Sequence, residues 1–148
     1  PVIVLGEGDK ISYEDKEINI LSPSEGLLAH KDLNEGSLVT ELIGEGVKIL
    51  FTGDIGFEAE EVLLEKYDMN IDILKVAHHG SRYATGMSFL EEATPLISII
   101  GVGDNRFGHP TEATLQRLAG IGSTMYRTDK NGRIELNVED GKVGVRTK

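Results

Sequence analysis

The sequence contains no cysteine, which excludes disulfide scaffolds, zinc–thiolate sites, iron–sulfur clusters and thiol nucleophiles. No apolar run approaches the ~18 residues that a membrane-spanning helix requires. Aromatic residues make up only 5% of the chain, and 15 basic residues stand against 25 acidic ones. The resulting net charge of −10 repels bare nucleic acid and anionic lipid unless a cation intervenes.

The composition that remains is typical of one folded domain. A chain of 148 residues with 39% hydrophobic residues can bury a core without staples, and residues 1–148 are interpreted as a single domain. The 18 glycines are scattered, which predicts many short elements joined by tight turns. Because the chain opens on Pro1 instead of methionine, we interpret it as part of a longer protein.

Apolar periodicity and turn residues predict a mixed α/β domain. Val2–Leu5 is an apolar run of strand length, and Pro23 to Glu35 is predicted to be a loop. Helices are predicted at Glu58–Tyr67, Ser88–Ala93 and Pro110–Ala119. Strands are predicted at Lys10–Tyr13, Glu17–Leu21, Ser37–Ile43, Val47–Thr52, Ile71–Ala77, Leu96–Val102, Met125–Thr128, Arg133–Val138 and Lys142–Arg146.

Three of these predicted strands end in polar residues. Asp54 follows the strand Val47–Thr52, and His78 and His79 come directly after Ile71–Ala77. His109 lies in the loop after Leu96–Val102. If the strands are parallel neighbours, the four side chains converge, because sites in α/β sheets form outside the carboxyl ends of the strands. Carboxylate and imidazole are ligands that zinc, manganese or iron accept without thiolate. The sequence therefore indicates a candidate metal site.

Each of these residues also has a purely structural interpretation. Asp54 after glycine can form a turn or cap a helix, and His109 before proline can cap the next helix. The adjacent pair His78 and His79 is harder to dismiss, although surface histidine pairs exist. His30 lies in the polar loop and is expected to be solvated. Ser81 is a weak candidate nucleophile, because the chain lacks a G-x-S-x-G elbow.

Five motifs occur in order and carry a resemblance to a known family. The motifs are Asn34-Glu35-Gly36-Ser37-Leu38-Val39, Leu50-Phe51-Thr52-Gly53-Asp54, Asp72-Ile73-Leu74-Lys75-Val76-Ala77-His78-His79-Gly80-Ser81, Asn105-Arg106-Phe107-Gly108-His109-Pro110, and Arg127-Thr128-Asp129 with Gly132. Together they resemble the C-terminal metallo-β-lactamase-like domain of the ComEC family, the channel proteins of bacterial DNA uptake. The resemblance extends from about Gly8 to Val138.

The resemblance implies an αββα sandwich with one or two metal ions at its edge. The family's N-terminal half carries a His-x-x-x-Asp-His type motif, which this sequence lacks. The chain therefore resembles the C-terminal half, a mixed sheet with helices on one face, from a longer membrane protein. A half-sandwich would expose an apolar sheet face, so we expect self-association.

The resemblance also implies roles for the candidate residues. Asp54 would be a metal-bridging and catalytic carboxylate, and His79 would be an imidazole ligand. His78 would face the substrate or assist proton transfer, and His109 would be a further ligand or support one. Ser81 and Asn105 would orient the site, and Ser37 would be structural, in the strand that leads to it.

The implied function is that of a metal-dependent hydrolase, a phosphodiesterase or nuclease that degrades the DNA strand not taken up. The implied cofactor is zinc or manganese, one or two ions, whose ligand set is completed by the missing N-terminal half. This chain alone is therefore expected to bind metal weakly or not at all. DNA and the channel domain are the implied partners, at the bacterial plasma membrane with the extracytoplasmic side favoured. The alternatives are a non-enzymatic docking or gating module of the same protein, and another superfamily hydrolase such as a phosphorylcholine esterase or a lactonase.

Overall fold

The computed structural model describes residues 2–148. Its strands are β1 (Lys10–Tyr13), β2 (Lys16–Ser22), β3 (Val39–Gly44), β4 (Val47–Phe51), β5 (Ile73–Lys75), β6 (Ile97–Ile100), β7 (Thr124–Arg127), β8 (Ile134–Glu139) and β9 (Lys142–Thr147). Its helices are α1 (Glu25–Leu28), α2 (Phe57–Lys66), α3 (Met87–Ala93), α4 (Glu112–Gly120) and α5 (Thr128–Asn131).

Seven strands form one mixed sheet in the order β1-β2-β3-β4-β5-β6-β7. The strands from β1 to β4 pair antiparallel, and those from β4 to β7 pair parallel. Glu45 and Gly46 close the β3–β4 hairpin with φ of 53° and 75°, which suits the twist of the flanking strands. This confirms the predicted mixed α/β architecture, with helices α2, α3 and α4 connecting the parallel strands.

The three connecting helices pack on one face of the sheet. Leu50, Leu74 and Ile100 of the central strands are fully buried there. Leu63 of α2, Leu90 of α3 and Leu118 of α4 meet them in the same core. Burying side chains of this size stabilises the fold by about 1.5–3 kcal/mol each. This core fixes the carboxyl ends of the parallel strands relative to one another.

The opposite face of the sheet is partly covered by the β8–β9 hairpin. Val47, Ile49 and Ile73 are buried there, packed with apolar side chains of the hairpin, among them Leu136 and Val138. Where the hairpin ends, apolar side chains remain exposed, namely Ile11 at 45%, Tyr13 at 71% and Phe51 at 41%. The face that a half-sandwich leaves open is therefore smaller than the sequence suggests, and self-association stays a prediction.

Three local expectations are corrected by the structure. Val2–Leu5 forms no strand and is exposed, because no neighbouring strand pairs with it in the described part of the chain. The Pro23–Glu35 loop contains helix α1, whose first turn is capped by the Ser24 hydroxyl. The strand predicted at Ile71–Ala77 shortens to β5, because the chain turns sharply after Val76.

A buried carboxylate ties α2 to α3. Glu60 is only 3% exposed and accepts hydrogen bonds from the backbone N–H groups of Thr85 and Gly86, just before α3 begins. Burial raises the pKa of Glu60 to about 7, although these two hydrogen bonds and the nearby Arg117 act in the opposite direction. Arg117 in turn donates to the carbonyl oxygens of Ala84 and Thr85. The segment between His79 and α3 is thus held from both sides.

We expect Glu60→Gln to flatten the pH dependence of stability. A carboxyl group whose pKa is higher in the folded protein favours folding below its unfolded pKa and loses this contribution as pH rises through the folded pKa. For Glu60 the loss falls between about pH 4.5 and pH 7. It amounts to something on the order of 3 kcal/mol. Urea unfolding across this range measures it, with the exposed Glu61→Gln as the control. Equal slopes in wild type and Glu60→Gln would contradict the assignment.

Candidate functional site

The parallel strands β4, β5 and β6 deliver the candidate residues to one edge of the sheet. Asp54 follows β4, His79 lies beyond β5, and His109 lies in the loop after β6. The three strands are hydrogen-bonded neighbours that run in the same direction. The predicted site required these strands to be parallel neighbours, and they are. Their carboxyl ends form a common edge, which we call the rim.

Asp54 and His79 face each other at this rim. The His79 Nε2 atom lies 3.8 Å from Asp54 Oδ1, and the two side chains are 53% and 46% exposed. The Nδ1 atom of His79 lies 2.6 Å from the carbonyl oxygen of Gly101. Since a carbonyl only accepts, Nδ1 donates this hydrogen bond, which leaves Nε2 on the side of the ring that faces Asp54. This is how a metal-ligating histidine is normally oriented.

The turn that carries the histidine pair adopts left-handed backbone. His78 and His79 have φ of 46° and 54°, and Gly80 follows with φ of 84°. Two consecutive non-glycine residues in this region cost about 1–3 kcal/mol each. Hydrogen bonds from His78 N to the Gly53 carbonyl and from Ser81 N to the His78 carbonyl hold the turn. The strained turn is what places both imidazoles at the rim instead of on opposite faces of a strand.

We expect Gly80→Ala to destabilise the protein by roughly 2–4 kcal/mol. A Cβ atom at Gly80 would lie 2.5 Å from the Pro110 Cβ, in addition to the positive φ. Gly122→Ala is the matched control, because Gly122 has a φ of 76° and open space around its Cα. Urea unfolding of the two variants separates the steric contact from the backbone strain, and equal losses would contradict a tight Gly80–Pro110 contact.

His78 and His109 form an edge-to-face pair at the same rim. Their ring centroids lie 5.7 Å apart with an interplanar angle of 71°. Burial lowers the pKa of His109, and the positive charges of His78, His79 and Arg82 act in the same direction. The Nδ1 atom of His109 is buried and finds no hydrogen-bond partner among residues 2–148. His109 therefore presents a buried ring nitrogen without a hydrogen-bond partner beside the other two histidines.

Lys75 is a residue of this rim that sequence reasoning missed. It lies at the end of β5, half-buried, and its ammonium group donates to the Val76 carbonyl. Burial lowers the pKa of Lys75, while the negative charge of Asp54 acts in the opposite direction. The only sequence signal is a lysine inside the apolar run that precedes His78.

The predicted supporting residues lie close to the rim, in different roles. Asn105 braces the loop that ends at His109, accepting hydrogen bonds from the backbone N–H groups of Phe107 and His109. The Ser81 hydroxyl is turned inward and accepts from Tyr83 N, which takes it away from the candidate ligands. Ser37 lies just before β3, not within the strand, and contacts Gly53.

Two residues of the long loop after β2 anchor the start of α2. The buried Glu35 carboxylate accepts from the backbone N–H groups of Gly56 and Ala59, so it caps a helix whose own N-cap glycine has no side chain. His30 is not merely solvated, because its Nε2 lies 3.0 Å from a carboxylate oxygen of Glu58. These contacts fix the helix that begins three residues after Asp54.

The rim offers part of a metal coordination sphere. Two ligands about 2.0–2.1 Å from a tetrahedral zinc ion lie about 3.4 Å apart. The Asp54–His79 distance of 3.8 Å is a few tenths of an ångström wider than a shared ion requires. The unpartnered Nδ1 of His109 is a further nitrogen nearby. Within residues 2–148 no cluster of three or more histidine, aspartate or glutamate side chains is arranged to hold a metal. The donor types fit a divalent transition metal, and their number is incomplete.

Comparison with known proteins identifies the family. The model of the metallo-beta-lactamase superfamily matches residues 14–104, more than half of the chain. The chain belongs to this superfamily. The match begins in the β1–β2 hairpin and includes Asp54, both adjacent histidines and the β6 strand end, and the mixed sheet with connecting helices is consistent with the superfamily fold.

This metallo-β-lactamase domain is similar in sequence to part of three much longer proteins. It is 35% identical over 90% of its length to ComE operon protein 3 of Bacillus subtilis and 31% identical over 88% to competence protein ComA of Neisseria gonorrhoeae. It is also 27% identical over 84% of its length to recombination protein 2 of Haemophilus influenzae. The chain spans 17%, 19% and 16% of these three proteins. The resemblance derived from the five motifs is thereby confirmed.

No helix in residues 2–148 is both long and apolar enough to cross a membrane.

Proposed function

We propose that the chain is part of a metal-dependent phosphodiesterase, a nuclease domain of a DNA-uptake protein that degrades the strand not taken up. The observation that supports this most strongly is the Asp54–His79 pair, with His79 oriented by the Gly101 carbonyl. The names of the relatives connect them with competence and recombination. In this proposal DNA is the substrate, and the domain belongs to a plasma-membrane channel protein, on its extracytoplasmic side.

A zinc or manganese ion held by Asp54 and His79, with His109 as a further ligand, would supply Lewis-acid polarisation and an activated water at neutral pH. The chain's own residues prepare the place for it. The Gly101 carbonyl holds the Nδ1–H of His79, so that Nε2 stays directed at Asp54. Ligands from the missing N-terminal half of the sandwich would complete the coordination sphere.

The side chains around this pair suit an anionic substrate. The half-buried Lys75 ammonium adds positive charge near Asp54, which favours a phosphate group at the rim. His78 lies beside the ligand pair, where it can hold or transfer a proton during bond cleavage. The His109 ring packs edge-on against His78.

A non-enzymatic docking or gating module is the second candidate. The incomplete ligand set within residues 2–148 favours it, because a catalytic zinc site normally has about three protein ligands. The net charge of −10 favours it as well, since it repels a DNA backbone that no cation neutralises. Self-association through the exposed part of the sheet would serve such a role.

The experiment that separates these candidates is a cleavage assay on the longer protein that we propose contains this domain. Labelled DNA is incubated with protein stripped by a chelator, then with manganese or zinc added back. The proposal expects cleavage only after metal is restored, and none from the 148-residue chain alone. Absence of cleavage with every metal would favour the docking module, whereas hydrolysis of phosphorylcholine esters or lactones without DNA cleavage would indicate another superfamily hydrolase.

A further inference from the structure

An exposed phenyl ring lies at the rim, on a loop whose backbone is braced by hydrogen bonds. The Phe107 side chain is 81% exposed, yet it stacks on the His109 imidazole with centroids 5.9 Å apart and an interplanar angle of 21°. Asn105 fixes the loop that carries it: its Oδ1 accepts from the N–H groups of Phe107 and His109, and its Nδ2 donates to the carbonyl groups of Gly103 and His109. Phe107 does not belong to the hydrophobic core, so core packing does not explain its stacking on His109.

The Phe107–His109 stack borders the candidate metal pair. A cleft of about 200 Å³ is lined by His79, Val102, Gly103, Asn105, Phe107 and His109. It adjoins a larger open cleft of about 490 Å³ that shares four of these residues and reaches Thr128 and Asp129. A molecule with one group at Asp54 and His79 therefore extends past the open face of the phenyl ring.

Positive charge flanks the stack in a chain that is otherwise acidic. Arg106 precedes Phe107 and is exposed, and Arg82 is exposed on the loop that follows the histidine turn. Burial is the larger cause of the lowered pKa of His109, and the charge of Arg82 acts in the same direction. Asp104 is the exposed carboxylate of the same loop and carries the opposite charge. An exposed aromatic ring with arginine residues on its own loop and on the loop after the histidine turn suits a ligand that combines a flat ring with phosphates.

We propose that the Phe107–His109 stack binds an unpaired nucleobase of a single strand whose backbone phosphate lies at the Asp54–His79 pair. Arg82 and Arg106 contact the neighbouring phosphates. The inference rests on the proposed nuclease function and adds which form of DNA, single-stranded or duplex, the site accepts. Bases inside a duplex have both faces covered by their neighbours, whereas an unpaired base offers a free face to an aromatic side chain. The site thus selects single strands or frayed ends over duplex interiors, without sequence preference.

The test measures binding in chelating buffer, where neither metal nor cleavage is required. The longer protein is titrated into three labelled probes of about 12 nucleotides, a length within the site sizes of single-strand binders: oligothymidylate, an abasic strand with the same phosphates, and a blunt duplex. The variants are Phe107→Leu, which keeps an apolar side chain, and Phe107→Trp, which keeps an aromatic one. Tyr13→Leu is the control, because Tyr13 is also exposed but lies on β1, at the other end of the sheet.

Phe107→Leu is expected to weaken oligothymidylate binding about 5- to 150-fold, the ratio that corresponds to one stacked base. It should leave the abasic probe unchanged, and Phe107→Trp and Tyr13→Leu should bind like wild type. Removing both Arg82 and Arg106 should weaken the two single-stranded probes alike and lower the salt dependence. Equal losses on thymidylate and abasic probes with Phe107→Leu, or no loss on either, would overturn the inference.

The two proposals fail in distinguishable ways. A protein that cleaves DNA with added metal, but binds thymidylate equally well with and without Phe107, retains the nuclease function and loses the base-stacking site. A protein that binds base-bearing strands better through Phe107, but shows no metal-dependent cleavage, retains the base-stacking site and loses the nuclease function. Because Phe107 is exposed, its substitution is expected to change the stability of the fold little. Unfolding midpoints equal to wild type verify that the variants fold.

Discussion

Asp54→Ala is expected to abolish metal-dependent DNA cleavage by the longer protein. The carboxylate faces His79 Nε2 at 3.8 Å, and no other carboxylate of residues 2–148 pairs with that nitrogen. If Asp54 holds the metal as we propose, its loss would remove several kcal/mol of charge stabilisation, which corresponds to a loss of about 10³-fold or more in rate. The rate of cleavage of labelled DNA, measured with manganese or zinc added to stripped protein, gives the comparison.

Two further variants make this result interpretable. Asp54→Asn keeps the size of the side chain and removes its charge, so it should be as inactive as Asp54→Ala while folding normally. Asp15→Ala removes an exposed carboxylate from the β1–β2 turn, far along the sheet from the rim, and should cleave like wild type. Equal activity in wild type and both Asp54 variants would remove Asp54 from the mechanism.

His79 and His78 are expected to differ in what their loss changes. His79→Ala should reduce cleavage severely together with metal affinity, because its Nε2 is held toward Asp54. His78→Ala should slow turnover by about 10²–10⁴-fold, the usual contribution of proton transfer, with a smaller effect on metal affinity. Metal affinity by competition with a chelating dye, measured beside the cleavage rate, separates the two effects.

Backbone strain requires a second pair of variants. Both histidines have positive φ, where asparagine is accommodated better than alanine, so His78→Asn and His79→Asn control for distortion of the turn. His30→Ala serves as a histidine control outside the rim. If His78→Asn lost metal as strongly as His79→Asn, the assignment of ligand and proton-transfer roles would be wrong.

Much of the fold follows from the sequence because its signals are local. Apolar runs between turn residues give six of the strands to within one residue, and Glu58–Tyr67 shows a helical stripe that becomes α2. The convergence of Asp54, His79 and His109 follows from one added assumption, that their strands are parallel neighbours. The resemblance of five ordered motifs supplied the superfamily, which the match over residues 14–104 confirms.

What could not be predicted depends on contacts between distant segments. Glu35 caps α2 from 21 to 24 residues away, and Glu60 holds the segment before α3 from 25 to 26 residues away. The left-handed conformation of His78 and His79 depends on the Gly53 carbonyl, which no local pattern reveals. The covering of Ile73 by the β8–β9 hairpin is likewise a tertiary event, and for this reason the open sheet face was overestimated.

The central claim is that Asp54 and His79 together hold a divalent metal ion. Its most direct test is the metal content of the longer protein after chelator treatment, reloading with manganese or zinc, and removal of free ions, in wild type and in an Asp54→Asn/His79→Asn double variant. The claim predicts one or two ions per wild-type chain and a corresponding loss in a double variant that still folds. The same metal content in both proteins would contradict it.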